Sequence, residues 1–291
     1  MLKEFISQVF DNNMQVYGIV VLQDGTKIAE HHFAPEERRN LYSATKCITS
    51  TAVGMAIAEG YFGLEDSILP YFEQELTKKV SQEQLDNLNK VTVERLLTMS
   101  VVDYPFERLN CNNWLKYILA IPLPNIDERK FRYNNFTSYL AGVMVEKTTG
   151  IPMMDFLRPR LFGPLQIPSV TCTYSPEGYY YGSTGMKLTV DELSRIGQLY
   201  LQKGCYRGKQ LISGEWVEQA TKKQIENKEE GYGYYFWRQE HNSYCARGKW
   251  GQICMVLPDK NAVITVLSNL EDEALAEKLR CCLWETIYPQ L

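Results

Sequence analysis

Residues 41–50 read LYSATKCITS, and this stretch runs into the apolar sequence of a predicted buried helix. Ser43 and Lys46 are three positions apart, so a helix places them on the same face. A serine hydroxyl is a weak nucleophile unless a neighbouring group takes its proton, and a buried lysine can do so because burial lowers its pKa. The spacing therefore predicts a nucleophile and its base. In the alternative interpretation, Ser43 only caps the helix and Lys46 is a solvated side chain.

A second motif, FRYNNF at residues 131–136, lies in a predicted turn before a helix that starts at residue 136. A phenol beside an ammonium group has a lowered pKa, because the positive charge favours the phenolate. We therefore expect Tyr133 to act as a general base toward Ser43 and then as a general acid toward the leaving group. Asn135 is expected to orient Lys46 and a substrate amide or carbonyl. The alternative is that Tyr133 is a core aromatic residue and Asn135 is a helix cap.

A third motif, ARGKWGQ at residues 246–252, joins two predicted strands. Glycine within a strand marks close approach by another group, so we expect a substrate acyl group to lie along Gly248. The backbone N–H of Lys249 would then donate to a developing oxyanion, together with the N–H of Ser43 at the helix start. Arg247 is a candidate for binding a substrate carboxylate, since guanidinium pairs with carboxylates bidentately. The alternative is a simple turn between strands.

In this order, the three segments resemble those of the serine-reactive penicillin-recognising hydrolases. The resemblance is closest to the class C β-lactamase-related family, which includes esterases, D-amino-acid peptidases and amide hydrolases. It extends along most of the chain, through LLTMS at 96–100, LFGPL at 161–165 and LTVDEL at 188–193.

The resemblance implies that Ser43 is acylated, with Lys46 as its proton partner and Tyr133 as general base and acid. It also implies that Asn135 contributes to substrate binding. One motif departs from the family: residues 246–248 are Ala-Arg-Gly where β-lactamases have Lys-Thr-Gly. The lysine and hydroxyl that bind the antibiotic's carboxylate are therefore missing, so efficient β-lactam hydrolysis is not expected.

The order of predicted elements indicates an α+β protein. Strands are predicted near both termini, at 15–33 and 232–267, and helices fill the middle of the chain. The simplest architecture is an antiparallel sheet formed by both termini, flanked by terminal helices, with a helical domain inserted after the second strand. The predicted boundaries are 1–60 with 171–291 for the discontinuous sheet domain and 61–170 for the helical domain. The resemblance implies a β-lactamase/transpeptidase-like fold, with its site in the crevice between the two parts.

Composition excludes several classes of protein. The 291 residues are 45% hydrophobic and 23% charged, with a formal net charge of −4, which gives no basic surface for nucleic acid. Residues 1–18 lack the apolar core of a signal peptide, and no apolar run is long enough to span a membrane, so a cytoplasmic protein is predicted. The eight cysteines form no CxxC pair and there are only three histidines, so neither a metal nor another cofactor is predicted.

These observations predict a serine hydrolase that cleaves a small-molecule ester, amide or peptide through an acyl-enzyme. The alternative from another class is a penicillin-binding or ligand-sensing module with the same fold and little turnover. A cysteine hydrolase using Cys47 is disfavoured, because no histidine is near it in sequence. The aromatic loop YYYG at 179–182 is expected to line the substrate pocket, or else to pack the domain junction.

Overall fold

A six-stranded antiparallel sheet forms the centre of the protein, in a computed structural model that describes residues 1–76, 80–107 and 109–291. Along the described residues, the strands of this sheet and of two small two-stranded sheets (β3-β4 and β5-β6) are β1 (Val16–Gln23), β2 (Thr26–His32), β3 (Arg39–Asn40), β4 (Lys187–Leu188), β5 (Cys205–Tyr206), β6 (Lys209–Gln210), β7 (Trp237–Arg238), β8 (Tyr244–Gly248), β9 (Gln252–Leu257) and β10 (Ala262–Ser268). The order in the large sheet is β2-β1-β10-β9-β8-β7. Strands from both termini meet where β1 pairs with β10, so the predicted antiparallel sheet and the α+β class are confirmed.

Helices cover both faces of this sheet and form the middle of the chain. They are α1 (Lys3–Asp11), α2 (Thr45–Ala58), α3 (Leu69–Phe72), α4 (Gln82–Asn89), α5 (Val93–Leu97), α6 (Trp114–Leu119), α7 (Phe136–Thr149), α8 (Met153–Leu157), α9 (Val190–Leu201), α10 (Gly214–Thr221) and α11 (Glu273–Cys282). None of the helices in the described ranges is long and apolar enough to cross a membrane.

Two hydrophobic clusters lie on opposite faces of the sheet. The terminal helices pack on one face, where Phe5 of α1, Leu279 of α11 and Ile264 of β10 belong to one buried cluster. On the other face, one continuous cluster joins the sheet to α2, α7 and α9. All seven residues of β10 are buried, because both faces of this strand are covered. The predicted flanking helices are confirmed, whereas the division at residues 60 and 170 stays a prediction.

The ends of several elements differ from their predicted positions. Within the predicted strand region at 232–267, the sequence of residues 232–239 predicts one strand, but only Trp237–Arg238 pairs with the sheet, as β7. Tyr235 has a φ of +67°, which breaks the extended conformation just before that point. The sequence pattern predicts that the C-terminal helix runs from Glu271 to Ile287, but α11 ends at Cys282 and a π-helical turn, Leu283–Ile287, follows.

Candidate active site

Ser43 lies in a short 3₁₀ turn, Tyr42–Ala44, that leads directly into α2. Tyr42 has a φ of +46°, an unusual conformation for a residue with a side chain, and its N–H donates to Oδ1 of Asn40 at 2.9 Å. Strand β8 packs tightly against this turn, since a Cβ on Gly248 would lie 2.1 Å from the carbonyl oxygen of Leu41. The turn is therefore held from two sides, and Ser43 is partly exposed at its tip.

Lys46 is buried beneath Ser43, on the first turn of α2. Its side chain is surrounded so completely that only 1% of the residue is exposed. Nζ lies 3.3 Å from Oγ of Ser43, 2.9 Å from Oδ1 of Asn135 and 3.0 Å from the carbonyl oxygen of Ser183. Burial lowers the pKa of Lys46 to about 7, because the charged form loses its hydration. Near neutral pH the amine is therefore present in both protonation states.

The three neighbours of Nζ match both protonation states of the amine. An ammonium group has three N–H donors and can donate to all three oxygens. Two of those oxygens, on Asn135 and Ser183, have no proton to donate to Lys46 (an amide oxygen and a backbone carbonyl). A neutral amine that keeps these two bonds directs its lone pair at the Ser43 hydroxyl. The geometry therefore suits proton transfer from Ser43 to Lys46.

Tyr133 lies beside Ser43 and Lys46, so three side chains that carry exchangeable protons form one cluster. Its phenol is within hydrogen-bonding reach of the Ser43 hydroxyl, and Nζ of Lys46 lies 5.0 Å from the centre of its ring. Burial raises the pKa of Tyr133 to about 12, while the hydrogen bond with Ser43 and the charge of Arg247 lower it by less. The predicted lowering of this pKa is therefore wrong. Desolvation outweighs the neighbouring charges, and Lys46 is itself only partly charged near neutral pH.

Asn134 and Asn135 divide two roles that the sequence analysis considers for Asn135 alone, namely the helix cap and the contact with Lys46. Oδ1 of Asn134 accepts the N–H of Thr137 at 3.0 Å and so caps the start of α7. Asn135 is the N-cap residue of α7, but its side chain makes no capping hydrogen bond. Its amide oxygen accepts a hydrogen bond from Nζ of Lys46 instead. The predicted contact between Asn135 and Lys46 is therefore present, and capping belongs to Asn134.

Sequence reasoning missed the carbonyl of Ser183, the third partner of Lys46. Oγ of Ser183 donates to the carbonyl of Asn135 at 2.6 Å and also meets Oγ of Ser138 at 2.7 Å. Gly182 precedes it with a φ of +70°, and a Cβ there would lie 2.4 Å from the carbonyl oxygen of Ser138. The Tyr- and Gly-rich composition of this loop was the one available signal, because a backbone carbonyl has no signature in sequence.

A cavity of about 850 Å³ opens onto Ser43. Its walls are rich in aromatic rings, namely Tyr42, Phe106, Trp114, Tyr133, Tyr181 and Trp237. Asn135, Arg247, Gly248 and Lys249 also line it, so the structure brings six of the seven predicted site residues to one cavity and Lys46 to its floor. Of the aromatic loop, Tyr181 lines the cavity, whereas Tyr180 is fully buried in the core.

Comparison of the chain with known proteins identifies its family. The family model described as Beta-lactamase matches residues 6–280. The chain belongs to the β-lactamase family. The 6-aminohexanoate-dimer hydrolase of Paenarthrobacter ureafaciens is 24% identical over an alignment of 224 residues, and the match covers 68% of this chain and 55% of that hydrolase. The chain thus spans little more than half the length of this curated relative, and it is a β-lactamase-related homologue of a hydrolase.

Solved structures of this family share the fold at low sequence identity. A class C β-lactamase from Rhodobacter sphaeroides has a TM-score of 0.78 at 12% identity, with 98% of each chain covered. A penicillin-binding protein homologue from Caulobacter crescentus has a TM-score of 0.74 at 16% identity, with 96% of this chain and 95% of that chain covered. At these identities the likeness concerns the fold, and the predicted β-lactamase/transpeptidase-like fold is confirmed.

In this β-lactamase family member, the end of strand β8 carries the residues that replace Lys-Thr-Gly. The guanidinium of Arg247 lies 4.1 Å above the ring of Trp237 and forms an ion pair with Glu229, with Nη2 2.7 Å from Oε1. Lys249 follows the strand, with Nζ 5.2 Å from the ring of Trp250. Arg247 lines the same cavity as Ser43.

Proposed function

We propose that this protein is a serine hydrolase that cleaves an ester or amide bond of a small molecule through an acyl-enzyme on Ser43. The observation that supports this best is the environment of Lys46. Its amine lies 3.3 Å from Oγ of Ser43, burial lowers its pKa to about 7, and two other oxygens fix its position. A base whose pKa lies near the operating pH is the most efficient in general catalysis.

Acylation begins when neutral Lys46 takes the proton of Ser43 and Oγ attacks the substrate carbonyl. We expect the backbone N–H groups of Ser43 and Lys249 to hold the oxyanion. The close packing of β8 against the 3₁₀ turn, where a Cβ on Gly248 would lie 2.1 Å from the carbonyl oxygen of Leu41, supports this assignment. Because its pKa is about 12, Tyr133 stays protonated at neutral pH and gives its proton to the leaving group. Lys46 then returns a proton to the phenol, so it ends the step neutral.

Deacylation repeats these proton transfers with water as the nucleophile. Neutral Lys46 takes the proton from water, and the hydroxide attacks the acyl carbon. Tyr133 gives its proton to Oγ of Ser43 as that oxygen leaves, and Lys46 returns the proton of water to Tyr133. No group outside the three side chains and the two backbone donors is needed for the proton balance. The named substrate of the hydrolase relative, the 6-aminohexanoate dimer, supports a small molecule as the substrate.

The test is steady-state hydrolysis of p-nitrophenyl butyrate and of a matched p-nitroanilide by the purified protein. Ser43→Ala should lower kcat by several orders of magnitude, as loss of a nucleophile does in other serine hydrolases. Cys47→Ala is the matched control on the same helix, and it should retain turnover because burial raises the pKa of this thiol well above its usual value and keeps it protonated. Turnover that survives in Ser43→Ala would contradict the proposal. A single acylation without further turnover would favour the penicillin-binding or ligand-sensing module.

A further inference from the structure

Arg247 is the cation that a substrate would meet along strand β8, and its guanidinium already contacts two other side chains, those of Trp237 and Glu229. The side chain lines the cavity that opens onto Ser43 and is only 18% exposed. One face of the guanidinium lies on Trp237 at 4.1 Å, and Nη2 donates to Oε1 of Glu229 at 2.7 Å. Arg247 therefore has both an aromatic support and a carboxylate partner from within the chain.

Glu229 is held in place by contacts with the chain around it. Oδ1 of Asn227 accepts the N–H of Glu229 at 2.8 Å and the N–H of Gly231 at 2.9 Å, which fixes the backbone on either side of the glutamate. Its second carboxylate oxygen lies 3.6 Å from Nη1 of Arg280 on α11. The side chain is 35% exposed and is therefore reached by solvent. It lines a neighbouring cavity, which shares Trp237 with the cavity at Ser43.

We propose that Glu229 is a specificity-determining residue that directs the active site toward neutral substrates. This inference rests on the proposed hydrolase function, and it names the substrate class of the same site. A substrate carboxylate that reaches Arg247 must displace Glu229 or lie beside it, and like charges placed side by side are strongly disfavoured. A neutral ester or amide is not repelled by Glu229, and it packs against the aromatic walls of the cavity.

The other charged groups of the cavity act in the same direction. Among the described lining residues, Glu107 and Glu273 are anionic, and Lys249 is the one further cation besides Arg247. Once Glu229 neutralises Arg247, the carboxylates outnumber the remaining positive charge. When Lys46 on the floor is neutral, the charged residues that line the cavity are therefore unfavourable to an anionic substrate.

The test compares two esters that differ in one charge, p-nitrophenyl butyrate and mono-p-nitrophenyl glutarate, by the ratio of their kcat/KM values. Glu229→Gln should raise the anionic-to-neutral ratio about tenfold, because it removes one negative charge beside Arg247. Arg247→Gln should lower the ratio, since it leaves Glu229 without its partner. The double variant should lose the gain seen in Glu229→Gln.

Glu226→Gln is the matched control, because Glu226 lies on the same segment, is 76% exposed and pairs with Lys223 instead. Its ratio should stay within about twofold of the wild-type ratio, as expected for an exposed ion pair. An unchanged ratio in Glu229→Gln, or an equal rise in Glu226→Gln, would overturn the inference.

A second readout separates this inference from the proposed function, because it needs no turnover. The affinity for phenylacetate relative to the neutral phenylacetamide is measured by calorimetry in wild type and Glu229→Gln. The variant should shift this relative affinity toward phenylacetate by about tenfold, whether or not either ester is hydrolysed. Failure of the proposed function would appear as absent ester turnover in the wild type, whereas failure of this inference would appear as an unshifted relative affinity.

Discussion

Acidification should slow the acylation of Ser43 in proportion to the neutral fraction of Lys46. The pKa of this lysine is lowered to about 7 by burial, so the base loses its proton as the pH rises through neutrality. With that value, about nine tenths of the amine is neutral at pH 8 and about one hundredth at pH 5. We therefore expect kcat/KM to fall about a hundredfold between pH 8 and pH 5. A lysine with an ordinary pKa would instead give a rate that still rises about tenfold per pH unit between pH 7 and pH 10.

The assay is kcat/KM for p-nitrophenyl butyrate at constant ionic strength, since this quantity reports the pKa values of the free enzyme. Tyr133→Phe is the control variant, because it removes the phenol and leaves Lys46 in place. In this variant the plateau of kcat/KM at high pH should be lower, but the inflection of the pH profile should stay near pH 7. A rate that is constant from pH 6 to pH 9, an inflection above pH 9, or loss of the inflection in Tyr133→Phe would refute Lys46 as the base.

Two further predictions follow from the packing around the same site. Gly248→Ala should lower kcat at least tenfold and stability by about 1–3 kcal/mol, because its Cβ would lie 2.1 Å from the carbonyl oxygen of Leu41. Gly63→Ala, whose Cβ would meet its nearest neighbour at 3.5 Å, is the control, and equal effects of the two would contradict this reasoning. Lys46→Met should remove a pH dependence of the free energy of unfolding. The pKa of Lys46 is lower in the folded than in the unfolded protein, because burial lowers it to about 7. The free energy of unfolding of the wild type should therefore rise by roughly 1 kcal/mol per pH unit as the pH rises above about 7. Chemical denaturation of both proteins at pH 7, 8 and 9 checks this, and parallel profiles would show that Lys46 is not the titrating group.

The part of the site that depends on local sequence could be predicted. Ser43 and Lys46 lie together because three residues span less than one helical turn. The start of α5 is a second such feature, because threonine is a favoured N-cap residue and the side chain of Thr92 accepts the N–H of Arg95. Such features depend on a few neighbouring residues and are therefore readable from the chain alone.

The remaining features depend on groups that are distant in sequence. The carbonyl of Ser183 reaches Lys46 across 137 positions, and no side-chain pattern marks a backbone acceptor. The pKa of Tyr133 was predicted in the wrong direction, because the extent of its burial depends on how the whole cavity packs. The ion pair between Arg247 and Glu229 joins a strand to a loop 18 positions away, and its partner had no signal in the sequence.

The most direct test of the central claim is the mass of the intact protein after exposure to a fluorophosphonate, with Ser43→Ala treated in parallel. An activated serine should give a single covalent adduct in the wild type, located at Ser43 by peptide mapping, and no adduct in the variant. An adduct that persists in Ser43→Ala, or a wild-type protein that remains unlabelled at pH 8, would contradict the assignment of Ser43 as a nucleophile activated by Lys46.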